Sequence, residues 1–211
     1  MGYYEMKVLH MDSDIPSVYF PIGSLSEGGT CEFSTKKCRY YCPSGGEINE
    51  HEKWAYNYFK KHNEETVLKK IMYDYKELSK IPYNAKMIQW FAWGDCPSEL
   101  TEKVTVCILA IKDEGIPQYG FTRNRRLWEI IPHYDNLSIG LSLDDLDNAK
   151  EMSIINGKMT AHPNFQSGYA EMIFNGRIVS KCNGWWCITD AETQNSDCTR
   201  CLTNNDGCYS R

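Results

Sequence analysis

No stretch of this chain is apolar and uncharged for long enough to cross a bilayer, so we expect no membrane-spanning helix. The start, Met1 to His10, lacks a basic region followed by an apolar run, and with it the mark of a signal peptide. Met1-Gly2 is followed at position 6 by Met, where a myristoylation site wants Ser or Thr. Positive charge is in short supply: 23 Lys and Arg stand against 28 Asp and Glu, for a net charge of -5, which argues against a broad nucleic-acid-binding face while leaving a local basic patch open. There is no internal repeat and no low-complexity segment. Cysteine is nearly missing from the long middle of the chain, where only Cys96 and Cys107 occur.

What is present is an ordinary soluble composition, 42% hydrophobic and 24% charged over 211 residues, enough for one good-sized domain or one domain with a small appendage. The other eight of the ten cysteines fall in two groups: Cys31, Cys38 and Cys42 near the start, and Cys182, Cys187, Cys198, Cys201 and Cys208 near the end. With no export signal we expect a cytoplasmic protein, and in that reducing compartment tight cysteine groups are explained by metal better than by disulfides. Three thiolates on one short loop leave a coordination position open in a four-iron cluster or a catalytic zinc, or accept a distant fourth ligand in a zinc knuckle. Sulfur donors alone do not choose between zinc and iron–sulfur.

The pattern along the chain is strand, helix, strand, helix. Residues 17–22 read as a strand feeding the cysteine loop, which ends at Pro43-Ser44-Gly45-Gly46. Apolar residues at helical spacing from Asn49 to Ser79 (Trp54, Tyr58, Val67, Ile71, Tyr75, Leu78) predict two helices with a break at His62-Asn63. The run 87–93 predicts a strand buried on both faces. Residues 99–114 predict a helix with Leu100, Val104, Cys107, Ile108 and Ile111 facing inward and Gly115 as its cap. Strands at 118–122, 137–142 and 158–162 alternate with helices at 125–131 and 144–155. This is the grammar of parallel βαβ units, and we expect an α/β fold: a partial (βα) barrel of about five to six parallel strands over residues 1–168. Residues 169–211 are expected to hold a β-hairpin, turned at Asn175-Gly176, and a cysteine-rich metal-binding tail.

Functional groups of parallel α/β barrels gather at the carboxyl ends of the strands. Here those positions carry the three-cysteine loop, Gly94-Asp95-Cys96, Arg123-Asn124-Arg125, Ser142 with Asp144 and Asp145, and His162-Pro163-Asn164. A cysteine loop with an aromatic before its last cysteine (Tyr41-Cys42) and a second strand ending in a Gly-acid pair (Gly94-Asp95) resembles the radical S-adenosylmethionine superfamily. The run from Phe20-Pro21-Ile22-Gly23-Ser24-Leu25 through Thr30-Cys31, Cys38 to Cys42, Trp93-Gly94-Asp95 and a C-terminal Cys-x-x-Cys resembles the phage "gene product 88" domain family, over most of the chain. The loop departs from the superfamily's usual spacing of three and then two residues between cysteines; here there are six and then three.

The resemblance implies a phage-encoded iron–sulfur enzyme in the host cytoplasm. Cys31, Cys38 and Cys42 would hold a [4Fe-4S] cluster, and S-adenosylmethionine would bind beside Gly94 and Asp95, with Ser142 and His162 toward its ribose and adenine. It further implies reductive cleavage of that cofactor, hydrogen abstraction from a small-molecule or macromolecular substrate, and an electron donor as partner. At the tail, Cys198-Thr199-Arg200-Cys201 has the two-residue spacing of thiolate sites. Cys187 and Cys208, with Cys182 as a substitute, complete a four-thiolate set for zinc or a second iron–sulfur cluster. The alternative is a zinc-stabilised, non-catalytic phage accessory protein that binds nucleic acid or a host protein. Three weaker signals have plainer readings: Asp144, Asp145 and Asp147 as helix-start carboxylates, Arg123, Arg125 and Arg126 as partners of nearby acids, and Trp185-Trp186 as packing beside Cys187.

Overall fold

The computed structural model describes residues 6–12, 15–40, 50–81, 86–132, 134 and 136–142, together with the strand segments 160–161, 171–174, 177–182 and 185–188. Its main sheet has six strands in sequence order: β1 (Leu9–Asp12), β2 (Ile15–Tyr19), β3 (Ile88–Trp93), β4 (Gln118–Thr122), β5 (Leu137–Ser142) and β6 (Thr160–Ala161). β1 runs antiparallel to β2, and β2 to β6 are parallel to their neighbours. The fold is therefore α/β on a mostly parallel sheet. Because neighbours in the sheet are also neighbours in sequence, every connection steps the same way, as in a singly wound sheet.

The helices between these strands are α1 (Lys36–Tyr40), α2 (Glu50–Lys61), α3 (Glu64–Leu78), α4 (Thr101–Asp113) and α5 (Arg125–Ile130). The break expected at His62-Asn63 is a helix start: the Asn63 side chain accepts from the Thr66 amide at 3.0 Å and caps α3. On α4 the expected inner face is buried in full, from Leu100 and Val104 to Cys107, Ile108 and Ile111. Each such side chain contributes about 1.5–3 kcal/mol by leaving water. Gly115 follows at φ 74°, the left-handed conformation that ends a helix without strain only for glycine.

On α2 the aromatics behave differently from the periodic reading. Ala55 and Phe59 fill the buried stripe, while Trp54 and Tyr58 flank the core and stack on one another with ring centroids 5.0 Å apart. Trp90 lies at the centre of the sheet, fully buried, with its indole N–H donated to Gln118 Oε1 at 2.8 Å. Gln118 in turn donates to the Ile108 carbonyl at 3.0 Å, so a buried amide joins sheet to helix with its polar atoms satisfied.

β3 is not a regular strand. Phe91 has φ 56°, and the two-residue step from Ser17 to Tyr19 on β2 faces the four-residue step from Gln89 to Trp93. Extra residues on one strand make a bulge, which breaks the alternation and buries both Trp90 and Phe91.

Three elements have no counterpart in the sequence reading: β1, the short α1 inside the cysteine loop, and β9 (Trp185–Ile188). The expected hairpin is present as β7 (Glu171–Phe174) and β8 (Arg177–Cys182), paired antiparallel with Phe174 opposite Arg177, and β9 extends it to a separate three-stranded sheet. The helix expected at 144–155, with Asp144, Asp145 and Asp147, lies outside the described residues. No described helix is long and apolar enough to cross a membrane.

Candidate functional site at the carboxyl ends of the strands

The loop after β2 folds back on itself. Pro21 carbonyl accepts both the Thr30 amide (2.8 Å) and the Thr30 hydroxyl (2.9 Å), and the Cys31 amide donates to Gly23 carbonyl at 2.8 Å. Inside this closed loop a 3-10 turn, Leu25–Glu27, is held by a reciprocal cap between Ser24 and Glu27. Gly29 packs so tightly that a Cβ would lie 2.2 Å from Gly23 carbonyl oxygen. The chain thus returns to the end of β2 and presents Thr30-Cys31-Glu32 at the carboxyl edge of the sheet.

Two side chains fasten that segment to the end of β3. The Thr30 hydroxyl accepts the Asp95 amide at 3.2 Å. The Glu32 carboxylate accepts the Ser98 amide at 2.6 Å and the Ser98 hydroxyl at 3.0 Å, so it caps the turn (Ser98–Leu100) that leads into α4. Between them Gly94, at φ 70°, passes against Phe20.

Beyond Glu32, Thr35 starts α1 by accepting the Cys38 amide on its hydroxyl at 3.0 Å, which places Cys38 in the first turn. Cys31 and Cys38 are half-buried thiols.

Asp95 is the hub of the neighbouring strands. Its Oδ1 accepts the Cys96 amide at 2.7 Å and the Thr122 hydroxyl at 2.5 Å, and its Oδ2 accepts the Arg123 amide at 2.9 Å. Burial pushes its carboxyl up to about 6 against the opposing pull of those three donors. Asn124 completes the network: its side chain donates to Cys96 carbonyl (3.0 Å) and Thr101 hydroxyl (2.8 Å) and accepts the Leu127 amide (3.0 Å) as the cap of α5. One connected set of hydrogen bonds therefore spans the carboxyl ends of β2, β3 and β4.

The expected site residues distribute as follows. Cys31, Gly94 and Asp95 occupy this edge, Cys38 is in the first turn of α1, and Ser142, buried, is the last residue of β5 opposite Ala161 of β6. Cys187 is on β9, opposite Ser180. Cys42, His162, Cys198, Cys201 and Cys208 lie outside the described residues. Among the described residues no group of three or more His, Cys, Asp or Glu side chains is gathered as a metal-binding set. Cys96 and Cys107 are fully buried, and burial raises both thiols, Cys107 to about 12. In the basic cluster, Arg125 pairs with Glu129 (2.7 Å) and Arg126 with Glu102 (2.5 Å), all exposed.

Glu32 and Thr122 carry the geometry and were not singled out by the sequence, while Asn124, expected only as one of the polar residues at the end of β4, caps α5 and joins the Asp95 network. Glu32 and Ser98 are 66 positions apart, and no local pattern marks such a pair.

No family model, curated protein or solved structure matches this chain.

Proposed function

We propose that the chain is an iron–sulfur protein with radical S-adenosylmethionine-like chemistry, built as a partial βα barrel with a cysteine-rich metal-binding tail. The observation that carries this reading is the double tie, Thr30 to Asp95 and Glu32 to Ser98, that fixes a thiol-bearing loop at the carboxyl ends of parallel strands. The donor set fits in kind: Cys31 and Cys38 offer soft, partly accessible sulfur, which suits iron–sulfur and zinc alike. Cys31, Cys38 and Cys42 would hold a [4Fe-4S] cluster, which when bound supplies the electron for reductive cleavage of S-adenosylmethionine.

The chain's own residues supply orientation. Gly94 brings the backbone close to the loop, Asp95 fixes the Cys96 and Arg123 amides, and Ser142 with His162 serve the ribose and adenine side. The substrate and the electron donor would approach the same edge.

One observation favours a second reading, a zinc-stabilised accessory protein without catalysis that binds nucleic acid or a host protein. Both oxygens of Asp95 are engaged by the protein itself, so the Gly-acid pair has a sufficient structural role. Metal analysis separates the two. Anaerobically purified protein should be brown, with about four iron and four sulfide per cluster, and its visible spectrum should shift on adding S-adenosylmethionine. Colourless protein with stoichiometric zinc and no response to S-adenosylmethionine would establish the second reading.

A further inference from the structure

Two histidines that the site at the strand ends does not use meet between β1 and α2. His10 stands in β1, the first strand of the main sheet, and His51 in the first turn of α2, with their ring centroids 3.1 Å apart. Each has a buried Nε2 without a hydrogen-bond partner, so no hydrogen bond through either Nε2 joins the rings. Aromatic pairs favour about 4.5–7 Å between centroids, and the closer approach gains nothing by itself. Two buried nitrogens left unpaired at one place are costly, and a single shared partner would satisfy both.

The state of His10 is set by its neighbours. Burial lowers its pKa, and against that a hydrogen bond to the Lys7 backbone and the charge of Asp74 favour the proton, while Lys7 opposes it. A backbone bond of that sign is donated by the ring to a carbonyl, and since Nε2 is unpartnered the donor is Nδ1. Neutral His10 therefore carries its free lone pair on Nε2. Metal-bound histidines are held in the same way, with the second ring nitrogen donating to a carboxylate or a backbone carbonyl. Burial and the neighbouring His10 hold His51 down at about 4, so its ring too is neutral near pH 7. Asp74 is engaged elsewhere: Oδ2 accepts the Val8 and Leu9 amides at 2.6 and 3.3 Å, and Oδ1 faces Lys70 Nζ at 3.1 Å.

We propose that His10 and His51 bind one divalent ion of the zinc class through their Nε2 atoms, tying β1 to α2, with the remaining coordination positions filled by solvent. Imidazole selects zinc and its neighbours over calcium and magnesium, which take oxygen ligands. Two nitrogens about 2.0–2.1 Å from a tetrahedral zinc set their ring centroids about 5 Å apart. The rings must therefore part by side-chain rotation as the ion enters, and both residues are only half-buried. The site shares no residue with the thiol-bearing loop and stands whether or not that loop holds a cluster.

The test uses the full chain with its thiol sites already loaded with metal. Zn2+ is then titrated in by calorimetry at pH 7.5. The parent should take up one further equivalent, and His10→Ala and His51→Ala should each weaken that step at least about tenfold. His62→Ala, which removes the other histidine of α2, should bind as the parent does, and Ca2+ and Mg2+ should give no heat of binding. Long-range proton–nitrogen spectra of the parent give an answer that does not depend on any variant folding: zinc should shift the Nε2 signals of His10 and His51 and leave Nδ1 of His10 protonated. A parent that takes up no further zinc, variants that bind as tightly as the parent, or Nε2 signals that stay in place would each overturn the proposal. Loss of the thiol-bound metal with this step retained would count against the iron–sulfur reading alone.

Discussion

Gly94 lies against Phe20 so closely that a Cβ would sit 2.4 Å from the Phe20 carbonyl oxygen and 2.8 Å from the Thr30 hydroxyl. Backbone is the obstacle, and backbone here is held by the Phe20 amide donating to Trp93 carbonyl at 3.0 Å. The positive φ adds the ordinary penalty of a left-handed L residue, about 1–2 kcal/mol. Gly94→Ala should therefore lose at least about 2 kcal/mol of stability in urea unfolding. A variant as stable as the parent would mean that the loop and β3 are not packed in this way.

Asp95 gives a pH signature of defined sign. Its folded pKa, about 6, is above its ordinary value of 3.8, so between those values the folded state holds a proton that the unfolded state has released. That binding favours the folded state as pH falls, and the advantage is lost as pH rises through about 6. Asp95→Asn cannot titrate, and its amide nitrogen would face the Arg123 or Cys96 amide, so it should be less stable throughout. The stability difference between parent and variant should be larger near pH 4 than near pH 7.5, as read from denaturation curves across that range.

The opposite sign is expected at His10 and His51, whose rings lie 3.1 Å apart between centroids, each with Nε2 buried and unpaired. Burial holds both below the ordinary histidine value of 6.5, His51 at about 4. The unfolded chain therefore binds protons first on acidification, and stability fully present above pH 6.5 is lost as pH falls toward 4. His51→Gln should flatten that part of the pH profile, and an unchanged acid limb would contradict the pairing.

The described thiols should also separate by reactivity. Cys31 and Cys38 are partly accessible, whereas Cys96 and Cys107 are fully buried with raised pKa values. In metal-free, folded protein, iodoacetamide followed by peptide mapping should find Cys31 and Cys38 modified well before the other two. Equal rates for all four would show that the α4 face opens readily.

Legibility in the sequence followed the range of the interactions. Helices α3 and α4, and strands β3, β4 and β5, could be read because periodicity, Asn63 and Gly115 act within a few residues of themselves. The bulge at Phe91 and the strand β1 could not. Leu9 to Asp12 become a strand only by pairing with β2, and α3 secures that pairing from a distance. The Asp74 carboxylate takes the Val8 amide at 2.6 Å and pairs with Lys70 at 3.1 Å. At the site, the residue types were legible as thiol, glycine and acid at strand ends. Their fastening by Glu32, Thr122 and Asn124 was not, since each bond joins different loops. Asp95, expected beside a cofactor, is bonded within the protein at both oxygens.

The order of strands in the main sheet has a consequence for how the chain is made. Each parallel strand lies beside the one synthesised just before it, so the sheet can be extended at one edge as the chain leaves the ribosome. The thiol-bearing loop is translated long before Ser98, and Glu32 acquires its partner only once β3 has been laid down. Until that moment the segment carrying Cys31 is held only within its own loop, through Thr30 to Pro21 and Cys31 to Gly23.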